Sequence, residues 1–235
     1  VAEDPSAEEH LLRGTLAHAF FEAIGRGMDA EKAKLLVMEA FERIQDVPQW
    51  QLRFKLDEFS ALLDRAREWA RQSEVNQELV GVEIPVGVRV REGVRIGGYM
   101  DRLLRDEEGN YLVVDLKTGK NQPAKKEAED HVQLMTYQLA LAHGAFDGHQ
   151  VHDGEGMPRQ GGVLVYPGAT TKKIGEIWQS DKSPEALEEF AALLPPLVEE
   201  MRGPRITART NKDCDKCPIR SICPVQEEGR MTTDA

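Results

Sequence analysis

The stretch Gly93-Val-Arg-Ile-Gly-Gly-Tyr-Met-Asp101-Arg-Leu-Leu-Arg105-Asp-Glu-Glu-Gly-Asn110-Tyr-Leu-Val-Val-Asp115-Leu-Lys117-Thr-Gly119 decides the fold. Two apolar runs flank a polar loop containing Gly and Asn, the pattern of an antiparallel hairpin. With the centre near Glu108, residues whose numbers sum to about 216 face one another. Asp101 then sits opposite Asp115, and directly opposed Cβ atoms lie about 5 Å apart. Strand alternation puts Lys117 on the same face as Asp115. Two carboxylates that close repel unless positive charge lies between them. A divalent cation with oxygen ligands would supply it, and so would a cross-strand ion-pair cluster with Arg102 or Lys117.

Outward from the hairpin the period changes. Upstream, Val80, Val82, Ile84, Val86, Val88 and Val90 alternate as a strand does. Before that the chain reads as helix. Glu8 to about Arg26 carries Leu12, Leu16, Ala19, Phe20 and Ala23 at helical spacing, Asp29 can cap a second helix to about Gln45, and Trp50 to Glu74 forms a third beyond Pro48. Downstream, a lysine-rich loop leads to a helix over Glu127–His143. A Gly-rich polar stretch, Gly144–Gly162, precedes strands over Val163–Tyr166 and Ile174–Gln179. Pro184 opens a final helix through Met201. This order predicts an α/β (α+β) domain around a mixed sheet flanked by helices. A single domain over 1–235 is expected, with a helical N-terminal segment over 1–76, a core over 77–201 and a cysteine-containing tail over 202–235.

A chain of 235 residues with 40% hydrophobic content can bury a sizeable core. No apolar run approaches the roughly 18 residues that span a bilayer, and no signal peptide is visible, so a cytoplasmic location is expected. The first residue is Val, and a fragment of a longer protein is expected. The net charge of −11 argues against coating nucleic acid through bulk charge. Two local stretches are basic: Lys117, Lys120, Lys125 and Lys126 in one, and Arg202, Arg205, Arg209, Lys212 and Lys216 in the other. Either could hold phosphates, and either could be an ordinary solvated surface.

Several residues could carry chemistry. His18, in Gly14-Thr-Leu-Ala-His18, is a structural helix histidine or a transition-metal ligand beside the two carboxylates. Gln133 and Tyr137 are spaced i,i+4 and share a helix face. Glu83 alternates with Gly81 and Pro85, opposite the valines, as a third acid for the centre or a solvated edge glutamate. All three cysteines cluster as Cys214-x2-Cys217-x5-Cys223. Without a secretory signal, that spacing speaks for metal or iron–sulfur ligation more than for disulfides. Three thiolates are one short of the usual four; within this chain the fourth ligand would be a His or an acid, the simpler expectation is a fourth Cys upstream of Val1, and the alternative is three reduced cysteines that ligate nothing.

Taken in order, these residues resemble the RecB-like branch of the PD-(D/E)XK nuclease superfamily over most of the chain. Gly14-Thr-Leu-Ala-His18 looks like its first motif, Gly98-Tyr-Met-Asp101-Arg102 its second, Val114-Asp115-Leu-Lys117-Thr-Gly119 its third and Gln133-x-x-x-Tyr137 its fourth. The C-terminal cysteines resemble the last three of four that bind a [4Fe–4S] cluster in AddB, Adn and Cas4 relatives. The ending Cys223-Pro-Val-Gln-Glu-Glu-Gly-Arg230 looks most like the nuclease module of actinobacterial UvrD-like helicase–nucleases. The resemblance implies a restriction-endonuclease-like core and a DNA exonuclease, fed single strands or ends by a preceding helicase motor, with no membrane partner. It implies one or two Mg2+ or Mn2+ ions on Asp101, Asp115, the Leu116 carbonyl and His18. Lys117 would then orient the attacking water, and Gln133 and Tyr137 would position the strand or the lysine. The competing readings are a standalone Cas4-like exonuclease, a catalytically silent DNA-binding scaffold on the same fold, and a zinc-binding structural module resting on the cysteines alone.

Overall fold

The computed structural model describes residues 5–45, 47–122, 124–144, 156–169, 173–203 and 207–227. Three helices come first: α1 (Pro5–Gly25), α2 (Ala30–Arg43) and α3 (Gln49–Ser73). Asp29 caps α2 by accepting the Lys32 amide at 2.9 Å, which satisfies one of the donors a helix start leaves open. Strands β1 (Glu78–Arg91), β2 (Val94–Arg105) and β3 (Tyr111–Leu116) follow. Then come α4 (Lys125–Glu129), α5 (Val132–Ala142), β4 (Arg159–Tyr166), β5 (Gly175–Gln179), α6 (Pro184–Ala192) and α7 (Leu194–Arg202). No described helix is long and apolar enough to cross a membrane. The chain divides into two compact units, residues 1–191 and 192–235; the second carries α7 and two short 3-10 turns, Cys214–Lys216 and Arg220–Ile222.

The sheet runs β1-β2-β3-β4-β5, antiparallel except for the parallel β3–β4 pair. It is mixed, as expected, and helices cover both faces. Leu112, Val114 and Leu116 of β3 and Val163 and Val165 of β4 bury against α1, α2 and α3. Val113, Leu164 and Tyr166, one residue out of phase, bury with Leu134, Tyr137 and Ala140 of α5. A strand buried on both faces reads as a continuous apolar run, as Leu112-Val-Val114 and Leu116 do, with the buried Asp115 as the one polar interruption. The β2–β3 register pairs Arg102 with Val114 and Leu103 with Val113. Both pairs sum to 216, and Gly109 at φ +87° makes the turn.

Four expectations need correction. The helix expected over Glu127–His143 is two helices, α4 and α5, broken at Asp130-His131. The buried Gln179 side chain donates to the carbonyls of Ala128, Glu129 and His131 at 2.9, 3.1 and 3.2 Å, so the break leaves its carbonyls satisfied. The helix expected over Pro184–Met201 restarts after Leu193, because Pro195 and Pro196 lack the N–H groups that would continue it. On α1 the buried stripe is Ala17, Phe20 and Phe21, with Leu16 and Ala23 only partly buried, and Ala19 lies on a different face. The alternation of β1 breaks at Glu83, which has φ +46°. Val82 lies against Gly25 of α1, whereas Ile84, Val86 and Val88 bury on the α5 side. Much of the stretch 144–162 lies outside the described residues.

Arg102 is a buried cation, 0% exposed. Its guanidinium stands over the Phe21 ring, 5.0 Å from the centroid, and pairs with Glu74 at the end of α3. Removing one member of a buried pair leaves the other charge uncompensated. Glu74→Ala is therefore expected to cost about 2–3 kcal/mol, the low end because Glu74 is itself 41% exposed. The readout is a fall in melting temperature of about 5–10 °C. A variant that melts with the wild type would show Arg102 solvated and the pair dispensable.

Candidate active site

Three elements converge where the β2–β3 pairing ends. Asp101 stands next to Arg102, the last β2 residue paired with β3, and its Oδ2 accepts the Leu116 amide at 2.7 Å. Across β1, Glu83 lies between the Val82↔Arg102 and Ile84↔Met100 pairs, hence opposite Asp101. His18 comes down from α1, its Nδ1 3.3 Å from Asp101 Oδ2. Ligand-type atoms of His18, Glu83 and Asp101 all lie within 4.8 Å of one another. They open onto a cleft of about 630 Å3, lined along α1 by Gly14, Thr15, Ala19 and Glu22 and closed on the other side by Thr118.

Asp115 is 1% exposed. Its Oδ2 forms an ion pair with Lys117 Nζ at 2.7 Å. Lys117 Nζ also donates to Gln133 Oε1 at 2.7 Å. Gln133 Nε2 donates to the Tyr137 hydroxyl at 3.1 Å, and that hydroxyl donates to the Tyr99 carbonyl at 2.6 Å. One unbroken chain of contacts thus runs from Asp115 through Lys117, Gln133 and Tyr137 back to β2.

The electrostatics follow from crowding acids in a partly dry place. Burial, then the charge of Asp101, pushes the Asp115 carboxyl up to about 6, with Lys117 and His18 pulling the other way. Burial likewise raises Glu83, helped by Asp101 and Glu22. For His18 burial acts downward, but the hydrogen bond and charge of Asp101, with Asp115 and Glu83 behind it, outweigh it and raise the imidazole. The centre is short of positive charge: Asp101, Asp115 and Glu83 crowd together, with Lys117 and His18 as cationic neighbours. Carboxylate oxygens with one imidazole suit a hard or borderline divalent cation such as Mg2+ or Mn2+, so the residues present fit one.

The structure brings His18, Asp101, Asp115, Lys117, Gln133 and Tyr137 together. Of Leu116 it is the amide, not the carbonyl, that touches Asp101. Gln133 and Tyr137, which share a helix face, are both tied into the network. Cys214, Cys217 and Cys223 are free thiols of intermediate burial in the second unit. Among the described residues the cluster of potential ligands is His18, Glu83 and Asp101, and the thiols form none. Thr15, Tyr99 and Thr118 stand inside three of the sequence motifs but receive no role from sequence, and the cleft-lining Glu22 is not singled out there at all.

The PD-(D/E)XK nuclease superfamily model matches residues 1–224, and the chain belongs to that superfamily. Its members are nucleases, hydrolases that work with divalent metal ions. No curated protein matches the chain. A solved structure titled "Crystal structure of SSO0001" is similar at 16% identity over 91% of this chain and 85% of that one, with a TM-score of 0.37.

Proposed function

We propose that this chain is a DNA exonuclease domain of the RecB-like branch that hydrolyses phosphodiester bonds with Mg2+ or Mn2+, as the nuclease module of a helicase–nuclease in end resection or repair. The observation that carries the reading is the pairing of two neighbouring carboxylates with one ammonium: Asp101 bonded to the Leu116 amide, and Asp115 beside Lys117. Asp101 and Asp115, with His18, would hold the cation, which supplies Lewis acidity that activates water and offsets charge on the phosphate oxygens. Lys117 holds a fixed positive charge next to that position, kept there by Gln133. Tyr137 anchors Gln133 to β2. Cys214, Cys217 and Cys223 would supply thiolates to a [4Fe–4S] cluster; their C-x2-C-x5-C spacing supports this.

The test is cleavage of end-labelled single- and double-stranded DNA in Mg2+, Mn2+ or EDTA. Asp101→Asn is the control, because Asn keeps an acceptor for the Leu116 amide while removing the charge. Metal-dependent cleavage is expected, lowered by about 10^3-fold or more in the variant. Cleavage that persists in EDTA, or a fully active Asp101→Asn protein, would overturn the reading.

A further inference from the structure

β3 pairs with β2 only from Arg102 to Arg105. From Asp101 back to Val94, β2 and its partner β1 therefore continue past β3 as a two-stranded ribbon. On that ribbon Ile84, Val86, Val88 and Met100 bury on the α5 side. Alternation places Arg89 of β1 and Arg95, Gly97 and Tyr99 of β2 on the other face. Arg89 and Arg95 are direct cross-strand partners. Like charges in that position repel, and neither guanidinium has a hydrogen bond or ion pair among the described residues. Their neighbour Arg91 does, with Glu188. With Gly93 and Val94 the two arginines line a hollow of about 260 Å3 at the ribbon's tip.

Between that tip and the acidic centre the β2 surface is bare. On that face a Cβ on Gly97 would meet only the Val86 carbonyl, at 3.8 Å. Tyr99 comes next, 61% exposed, its backbone held by Tyr137. Arg95 is six residues from Asp101, about 20 Å along an extended strand. That distance spans about six nucleotides at the 3.4 Å spacing of a stacked strand. Within the stretches that looked basic in sequence, Lys120 is bonded to Glu58 and Arg209 to Glu200.

We propose that this ribbon is the track for one nucleic-acid strand, with phosphates held by Arg89 and Arg95, a base stacked on Tyr99, and Asp101 at the track's end; it rests on the nuclease reading above. A single strand fits better than a duplex because only unpaired bases can lie flat on an exposed ring. The opposed arginines are a strain on the free protein that a bound anion relieves.

The test is fluorescence anisotropy of a labelled twelve-nucleotide oligothymidine with the full chain in EDTA, titrated with NaCl. Loss of two single-strand phosphate contacts in Arg89→Thr/Arg95→Thr should make the log–log salt slope shallower by about 1.4 and weaken binding about 25-fold at 0.1 M salt. Tyr99→Ala should weaken it about tenfold with the slope unchanged. The arginine double variant should also melt about 1–3 °C higher, since the opposed charges are gone. Wild-type slope and affinity in the double variant overturn the track. Polyglutamate displacing the oligonucleotide charge for charge would also overturn it, by assigning the arginines to an acidic protein. Cleavage in Mg2+ is measured in parallel. Arginine-dependent binding without wild-type cleavage leaves the track standing and removes the nuclease reading. Cleavage with arginine-independent binding does the reverse.

Discussion

Asp115→Asn is expected to stop cleavage, by about 10^3-fold or more, and to make the metal-free protein more stable than the wild type at pH 7.5. Both effects have one cause. A carboxyl held at about 6 in the fold, against 3.8 for an unperturbed aspartate, costs the folded state about 3 kcal/mol once it is ionised. The folded-state value is raised, so the unfolded chain loses its proton first as pH rises. The contribution of Asp115 to stability is thus most favourable below about 3.8, declines between 3.8 and about 6, and stays at its lowest above. Asn has no charge to desolvate and can still face Lys117. A gain of about 1–3 kcal/mol at pH 7.5 follows, read as a rise of roughly 3–10 °C in melting temperature in EDTA that vanishes near pH 4. Added Mg2+ should then raise the melting point of the wild type by mass action and leave the variant unmoved. An Asn variant less stable than wild type at pH 7.5 in EDTA would show that Asp115 is a structural partner of Lys117, not a strained ligand.

The same balance explains which regions of the molecule were legible in sequence. The β2–β3 register could be read because two apolar runs and a Gly109 turn leave one alignment that buries both faces of β3. The three N-terminal helices were bounded by residues whose effect is local: Asp29 caps α2, and Pro48 precedes α3. The breaks were not legible where their cause lies far along the chain. Nothing near Asp130 says that Gln179, some fifty residues on, will take the α4 carbonyls. From sequence Arg102 is a candidate cross-strand partner of the two aspartates, and instead it lies buried with Phe21 and Glu74, because those partners belong to helices no local pattern connects to it. Glu83 was placed by strand alternation, but a left-handed residue interrupts the pleat. In the candidate site, Asp101, Asp115 and Lys117 were visible because one hairpin carries all three. Arg89 and Arg95 were passed over because composition counts charge along the chain, whereas their meaning lies in the cross-strand pairing.

Lys117→Met should separate binding of the cation from use of it. The ammonium sits 2.7 Å from Asp115 Oδ2 and 2.7 Å from Gln133 Oε1, so it competes with any cation for the carboxylate. Without it, Asp115 loses the attraction that holds its pKa down and rises further. The comparison therefore belongs at pH 8.5, since high pH favours the ionised carboxyl in both proteins. There Mg2+ affinity, measured by calorimetry, should be equal to or tighter than wild type. Turnover should fall about 10^2–10^3-fold, the usual loss when one fixed charge facing a developing anion is removed. Gln133 acts on the reaction only through the lysine, so Gln133→Ala should cost less, about tenfold, by letting the ammonium wander. It should cost nothing further in the Lys117→Met background, since there is then no ammonium to position. Losses that multiply across the two substitutions would mean that Gln133 touches the substrate itself and that the chain from Asp115 to Tyr137 is not one device. A Lys117→Met protein with wild-type turnover would remove the lysine from the chemistry altogether, leaving it only the task of neutralising Asp115.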